Sequence, residues 1–109
     1  LVRVVRGAVM DVAVDIRKNA PTYGKCDSIR LTGSNKLMYW IPVGFAHGFV
    51  TLEDDTIFIY KCTNVYNKPS EGSILWCDET LKINWGVDQP VISEKDRISP
   101  LFRDFVSPF

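Results

Sequence analysis

The chain has 109 residues, of which 46% are hydrophobic and 24% are charged. This length provides for one domain with a hydrophobic core, and the composition excludes disorder and fibrous repeats. Thirteen Lys and Arg residues balance thirteen Asp and Glu residues, so the net charge excludes nucleic acid and an anionic membrane as the main partner.

The chain contains three cysteines, Cys26, Cys62 and Cys77, whose spacing fits neither a zinc site nor a disulfide framework. We therefore expect a reducing, cytoplasmic setting. No apolar stretch approaches the length of a membrane span, and no signal peptide opens the chain, so we expect no membrane partner. The sequence starts at Leu1 inside an apparent strand, from which we expect an N-terminal portion that precedes it.

Short β-rich runs separated by turn residues predict an all-β fold, with one helical turn near Glu94. The acidic residues 53–55 predict a turn between two strands, which we expect to pair as a hairpin. In chain order the predicted strands span residues 2–6, 8–16, 26–31, 37–41, 46–52, 56–63 and 73–76.

The second predicted strand has two different faces, because side chains alternate along a strand. One face is wholly apolar, and the other combines small residues with carboxylates, as suits a cavity. The apolar face comprises Met10, Val12, Val14 and Ile16; the other comprises Val9, Asp11, Ala13 and Asp15. Since both faces have something to bury, the pattern favours a two-layer sandwich or a barrel with a dimer partner outside.

His47 is the single histidine and shares a strand face with Phe45 and Phe49. It is either a hydrogen-bonded core residue or part of a site. Gly44 and Gly48 favour a site, because glycine weakens a strand unless the backbone turns or a ligand comes close. A metal site is disfavoured, because metal-binding cupins cluster several histidines.

Three aromatic residues and one charged run have both structural and functional interpretations. Tyr60 is a packing residue or a proton donor. Tyr66 and Trp76 either cover the core or stack on a planar ligand. The charged run 93–97 is by default a solvated surface.

Several segments together resemble the dTDP-4-dehydrorhamnose 3,5-epimerase family, in order and approximate spacing. The resemblance extends to about Pro100. The matching segments are LVRV at 1–4, DVAVDIRK at 11–18, WIP at 40–42, GFAHGF at 44–49, YK at 60–61, EG at 71–72 and SEKD at 93–96.

The resemblance implies one cupin-like jelly-roll domain over residues 1–109, incomplete at its N-terminus, in an enzyme that is usually dimeric. It implies an isomerase that inverts C3 and C5 of a dTDP-4-keto-6-deoxyhexose in dTDP-L-rhamnose or related deoxysugar synthesis, with no cofactor and no metal. The alternatives are a relative that epimerises only one carbon and a non-catalytic cupin that binds a sugar nucleotide.

The resemblance also implies roles for individual residues. Tyr60 matches the catalytic acid, and Asp96 matches the aspartate that assists the catalytic base. The base, a histidine, and a lysine that stabilises the enolate are expected before Leu1, so these 109 residues alone are expected to be inactive. The matches to residues that bind the substrate sugar or nucleotide are Asp11, His47, Tyr66 and Glu71.

The chain departs from the family pattern at Val43, where an acidic residue is common, and at Gly86, where proline is common. Neither position touches a catalytic assignment. The departures leave open whether one carbon or both are inverted.

Overall fold

The computed structural model describes residues 1–109 as two facing antiparallel sheets followed by a largely irregular C-terminal segment. One sheet has the strand order β4-β1-β6 and the other β3-β2-β5. The strands are β1 (Val2–Arg6), β2 (Ala8–Asp15), β3 (Cys26–Thr32), β4 (Met38–Tyr39), β5 (Phe45–Thr51) and β6 (Ile57–Tyr60). The all-β prediction is confirmed.

The C-terminal segment contains one helical turn, α1 (Glu94–Arg97), and two 3₁₀ turns, Lys68–Ser70 and Phe102–Asp104. The turn predicted near Glu94 is confirmed. The strand predicted at residues 73–76 does not form, and this prediction was wrong. Buried Asp78 holds the segment instead, because its carboxylate accepts hydrogen bonds from the backbone N–H groups of Thr80, Leu81 and Phe102. None of the helices is long and apolar enough to cross a bilayer.

The hairpin predicted between residues 46–52 and 56–63 was also wrong. β5 pairs with β2, whereas β6 pairs with β1 in the other sheet, so the acidic turn carries the chain across the sandwich. The physical reason is that each of the two strands directs an aromatic side chain into the space between the sheets. Phe49 on β5 and Phe58 on β6 pack against each other across the two sheets with ring centroids 4.2 Å apart, although Phe49 remains 45% exposed.

The main core lies between the sheets, where Val2, Val4, Val9 and Leu31 are at most 4% exposed. A second core lies on the opposite face of β2, where Val12, Val14 and Ile16 pack against Leu81. Both faces of β2 are therefore buried, as its sequence predicts. Its odd-numbered face, which carries Asp11 and Ala13, points between the sheets, and its even-numbered face meets the C-terminal segment.

Candidate functional site

Asp11 and His47 form a carboxylate–imidazole pair between neighbouring strands β2 and β5. The His47 Nε2 atom lies 2.8 Å from Asp11 Oδ1 and 2.9 Å from Oδ2. Asp11 is fully buried, whereas the His47 side chain is 28% exposed. Because an ionised carboxylate only accepts hydrogen bonds, Nε2 is the donor, and Nδ1 is the ring nitrogen that remains for another partner.

The pair occupies the inner face of its sheet because of the strand register. Ala13 of β2 lies opposite His47, and Asp11 lies opposite Phe49. The ring of Phe49 stacks near that of His47, with centroids 6.3 Å apart. The structure thus brings together two of the predicted substrate-binding residues.

Tyr60 lies at the end of β6 in the facing sheet. It follows Phe58 by two positions, so both side chains leave the strand on the inner face. Its side chain is 68% exposed and makes no hydrogen bond within residues 1–109. Tyr60 therefore presents a free phenol on the same side of its sheet as the contact between Phe49 and Phe58.

A cavity of about 850 Å³ extends around the edge of β5 beneath the C-terminal segment. Its polar lining includes His47, Glu71, Lys95 and Asp96. Its apolar wall includes Val12, Val14, Trp76, Leu81 and Trp85. Three predicted site residues, His47, Glu71 and Asp96, thus line one cavity, while Tyr60 lies outside its lining.

Tyr66, Glu71 and Lys95 form a polar cluster, of which Glu71 and Lys95 line this cavity. Lys95 Nζ lies 3.0 Å from Glu71 Oε2. The pKa of the Glu71 carboxyl is lowered, first by Lys95 and then by a hydrogen bond with Tyr66. The same hydrogen bond raises the pKa of the Tyr66 phenol. The cluster joins the predicted residues Tyr66 and Glu71 to Lys95, a cation of the charged run 93–97 for which the sequence predicts only a solvated surface.

Asp96 lies in the short helix α1, which begins after Ser93. The Ser93 side chain caps this helix by accepting a hydrogen bond from the Asp96 backbone N–H at 3.2 Å. The carboxylate of Asp96 is exposed and bonds to no other side chain in residues 1–109. The structure pairs His47 with Asp11 and leaves the Asp96 carboxylate available.

The two glycines that favoured a ligand site have packing explanations. A Cβ atom on Gly44, whose φ is +92°, would lie 2.6 Å from the Arg17 Cγ atom. A Cβ atom on Gly48 would lie 3.0 Å from the Trp85 ring. Gly44 is therefore required by a backbone turn and by Arg17, and Gly48 accommodates Trp85 beside β5. Nowhere in residues 1–109 do three or more His, Cys, Asp or Glu side chains gather as for a metal ion.

The family described as dTDP-4-dehydrorhamnose 3,5-epimerase matches residues 1–104. The enzyme of that name from Shigella flexneri is 52% identical over 104 residues, which is 95% of this chain and 58% of the relative. The chain thus spans a little over half the length of the curated relatives that it matches.

Two solved structures are similar over nearly the whole chain. The dTDP-6-deoxy-D-glucose-3,5-epimerase from Legionella pneumophila, in complex with dTDP-4-keto-L-rhamnose, has 44% identity and a TM-score of 0.92, covering 96% of this chain and 56% of that one. A 3′-monoepimerase from Streptomyces bikiniensis, in complex with dTDP-quinovose, has 30% identity and a TM-score of 0.82, covering 92% and 51%. The expected cupin-like all-β fold is confirmed, and the chain belongs to the dTDP-4-dehydrorhamnose 3,5-epimerase family.

Proposed function

We propose that the complete protein is an epimerase that inverts C3 and C5 of a dTDP-4-keto-6-deoxyhexose, in dTDP-L-rhamnose or related deoxysugar synthesis, without a cofactor. The observation that carries the proposal is the buried Asp11 carboxylate bonded to His47 on the inner face of a sandwich whose facing sheet bears Tyr60. The membership of the chain in its family supports the same conclusion.

The chemistry explains why such groups are needed. A ketone at C4 acidifies the protons on C3 and C5, so a base can remove each proton and form an enolate. Inversion then requires a group that stabilises the enolate oxygen and an acid that returns a proton to the opposite face. One set of groups on a rigid scaffold serves both carbons.

In this mechanism His47 binds near the C4 oxygen or a neighbouring hydroxyl through the nitrogen that Asp11 leaves free. The Asp11 carboxylate orients the ring and supports positive charge on it, as in other carboxylate–histidine pairs. Tyr60 acts as the acid. Asp96 assists the base, which we propose is a histidine outside residues 1–109.

The cluster of Tyr66, Glu71 and Lys95 is proposed to meet the nucleotide part of the substrate. Support comes from Glu71 and Lys95, which line the same cavity as His47. The similar structures from Legionella pneumophila and Streptomyces bikiniensis contain dTDP-sugars, which supports a ligand of the same class here.

A second candidate is epimerisation of one carbon only. The likeness to a 3′-monoepimerase favours it, but the 30% identity of that protein is well below the 52% identity of the Shigella flexneri 3,5-epimerase. We therefore propose inversion of both carbons.

We further propose that the protein is a cytoplasmic homodimer. Its three cysteines are free thiols, which fits a reducing compartment. The outer face of β4-β1-β6 exposes apolar side chains around Arg3, the register partner of Met38 and Ile59, and clustered exposed apolar groups are typical of an interaction surface. This face includes Val5, Met38, Ile57 and Ile59, which are between 43% and 56% exposed. Light scattering on the complete protein tests the dimer, and a monomeric mass would reject it.

Incubation of the complete protein with dTDP-4-keto-6-deoxyglucose in D₂O, followed by proton NMR, tests the reaction. We expect deuterium at both C3 and C5 and a product inverted at both. Exchange at C3 or C5 alone would establish the one-carbon reaction. Nucleotide binding with no exchange at either carbon would favour the non-catalytic alternative.

A further inference from the structure

Two rows of side chains face each other across the sandwich. In one sheet, Val2 of β1 lies between Tyr39 of β4 and Tyr60 of β6. In the other, Ala13 of β2 lies between its register partners on β3 and β5. These partners are Asp27 and His47.

The rows touch at one flank through a hydrogen bond. The Tyr39 phenol donates to Asp27 Oδ2 at 2.8 Å. Within residues 1–109 this is the single side-chain hydrogen bond that joins a strand of one sheet to a strand of the other. At the other flank of the same rows lie Tyr60 and His47.

The remaining contacts between the inner faces are apolar. They include the core of Val2, Val4, Val9 and Leu31, together with the ring contact between Phe49 and Phe58. Apolar burial is non-directional, so it favours close approach of the sheets without specifying one lateral position. A hydrogen bond specifies both a distance and a direction.

Within residues 1–109, the Tyr60 phenol makes no hydrogen bond that would specify its position. Its side chain is 68% exposed, so the placement of its phenol depends on where β6 lies relative to the facing sheet. Because Tyr39 and Tyr60 share Val2 as register partner, a displacement at one flank of this row is carried to the other through β1.

We infer that Tyr39 is a positioning residue. Its hydrogen bond to Asp27 fixes the position of the sheet that carries Tyr60 relative to the sheet that carries His47. The catalytic consequence rests on the proposed function. Burial, the hydrogen bond with Asp27 and the charges of Asp27 and Asp11 together raise the pKa of Tyr39 to about 12. The phenol thus remains a donor throughout the pH range in which enzymes work.

The test uses Tyr39→Phe in the complete protein, which removes the phenol oxygen and keeps the ring. The first measurement is a crystal structure of each protein. We expect the distance from Tyr60 Oη to His47 Nδ1 to change by about 0.5 Å or more, the tolerance of a catalytic site. An unchanged distance would overturn the inference, whether or not the protein proves to be an epimerase.

The second measurement is the ratio of net inversion to deuterium exchange. Tyr39→Phe should lower this ratio about threefold to tenfold, as expected for one lost hydrogen bond. In a Tyr60→Phe background it should lower the ratio no further, since it acts through Tyr60. If Tyr39→Phe lowered the ratio in the Tyr60→Phe background as much as in the wild type, the positioning role would be contradicted. A wild-type protein without any exchange would refute the proposed function instead, and the structural comparison would still decide the role of Tyr39.

Two further variants serve as controls. Asp27→Asn keeps an acceptor oxygen for the Tyr39 phenol, so its ratio should stay near that of the wild type, whereas Asp27→Leu should behave like Tyr39→Phe. Tyr23→Phe removes a phenol that packs on Phe102, away from both rows, and should leave the ratio unchanged. A loss in Asp27→Asn equal to that in Asp27→Leu would assign the effect to the charge of Asp27 and overturn the inference.

Discussion

Asp11 and His47 come together because their strands β2 and β5 are neighbours in one sheet, and the carboxylate meets the ring at Nε2 with both oxygens within 2.9 Å. Asp11 is fully buried, so His47 satisfies a charge that would otherwise lie unpaired in the core. The pair therefore contributes both to folding and to the proposed chemistry, and substitutions separate the two roles.

Asp11→Asn keeps the shape of the side chain but removes its charge. We expect kcat to fall by about 10²- to 10⁴-fold with a smaller change in KM, because the ring loses the group that supports positive charge and selects its tautomer. Steady-state kinetics provide the measurement. A change confined to KM would mean that Asp11 contributes to binding alone. Asp11→Ala should additionally destabilise the fold by about 1–3 kcal/mol, by leaving a cavity and an unpaired His47.

Tyr60→Phe should slow net inversion more than the first removal of a proton. The substitution deletes the proposed acid and spares the base, and general acid catalysis contributes about 10²- to 10⁴-fold. Product formation and deuterium exchange, followed in one NMR experiment, give the two rates. Equal loss of both would argue against the acid role. Because Tyr60 is largely exposed, the melting temperature should change little.

Asp96→Asn should impair exchange and inversion together, because it leaves the proposed base without its carboxylate. The carboxylate is exposed and bonds to no other side chain in residues 1–109, so folding should be unaffected. The matched control is Asp104→Asn, at a second exposed aspartate in the C-terminal segment and outside the cavity lining. An exchange rate equal to that of the wild type would remove Asp96 from the mechanism.

Gly44→Ala should destabilise the protein by about 2–4 kcal/mol, because alanine is strained at positive φ and its Cβ atom would displace Arg17 from its place beside Asp15. Gly86→Ala separates the two causes, since Gly86 also has positive φ but has open space around its Cα. That variant should lose only about 1–2 kcal/mol. Urea unfolding measures the free energy of unfolding of both variants. Equal losses of stability would show that the contact with Arg17 does not contribute.

Acid should weaken the fold partly through Asp15. Hydrogen bonds from Arg17 and Thr22, with burial opposing them, hold the pKa of this carboxyl well below its usual value of 3.8. A group whose pKa is lower in the folded state stabilises the fold above its unfolded pKa, and this contribution is lost as the pH falls. The wild type should therefore lose stability progressively below about pH 4. Asp15→Asn should be less stable at pH 7 but should depend less on pH in this range, as measured by urea unfolding at several pH values. Parallel pH curves for the two proteins would contradict this assignment.

The sequence predicts the local features of this fold better than its long-range pairings. Alternation along β2 predicts that Asp11 faces an interior, and the GFAHGF segment carries His47 on a strand. Their contact depends on the register between two strands distant in sequence, which no local pattern specifies. The hairpin failed for the same reason. The acidic turn before Thr56 is compatible with a hairpin or with a crossing between sheets, and the packing of Phe49 on Phe58 decides for the crossing.

The C-terminal segment is least evident in the sequence because hydrogen bonds to single side chains hold it, as at Asp78. Lys95 was likewise missed, since a lysine in a charged run carries no sign that Glu71 will bind it. The sequence does not predict the hydrogen bond between Tyr39 and Asp27, because no local pattern shows that the two sheets that carry them face each other.

A crystal structure of the complete protein with a bound dTDP-4-keto-6-deoxy sugar would show whether Asp11, His47 and Tyr60 form one site. We expect a sugar ring on the inner face of β3-β2-β5, with an oxygen within about 2.6–3.2 Å of His47 Nδ1 and the Tyr60 phenol directed at C3 or C5. A sugar bound on the outer face of that sheet, against Val12 and Val14 and away from Tyr60, would contradict it.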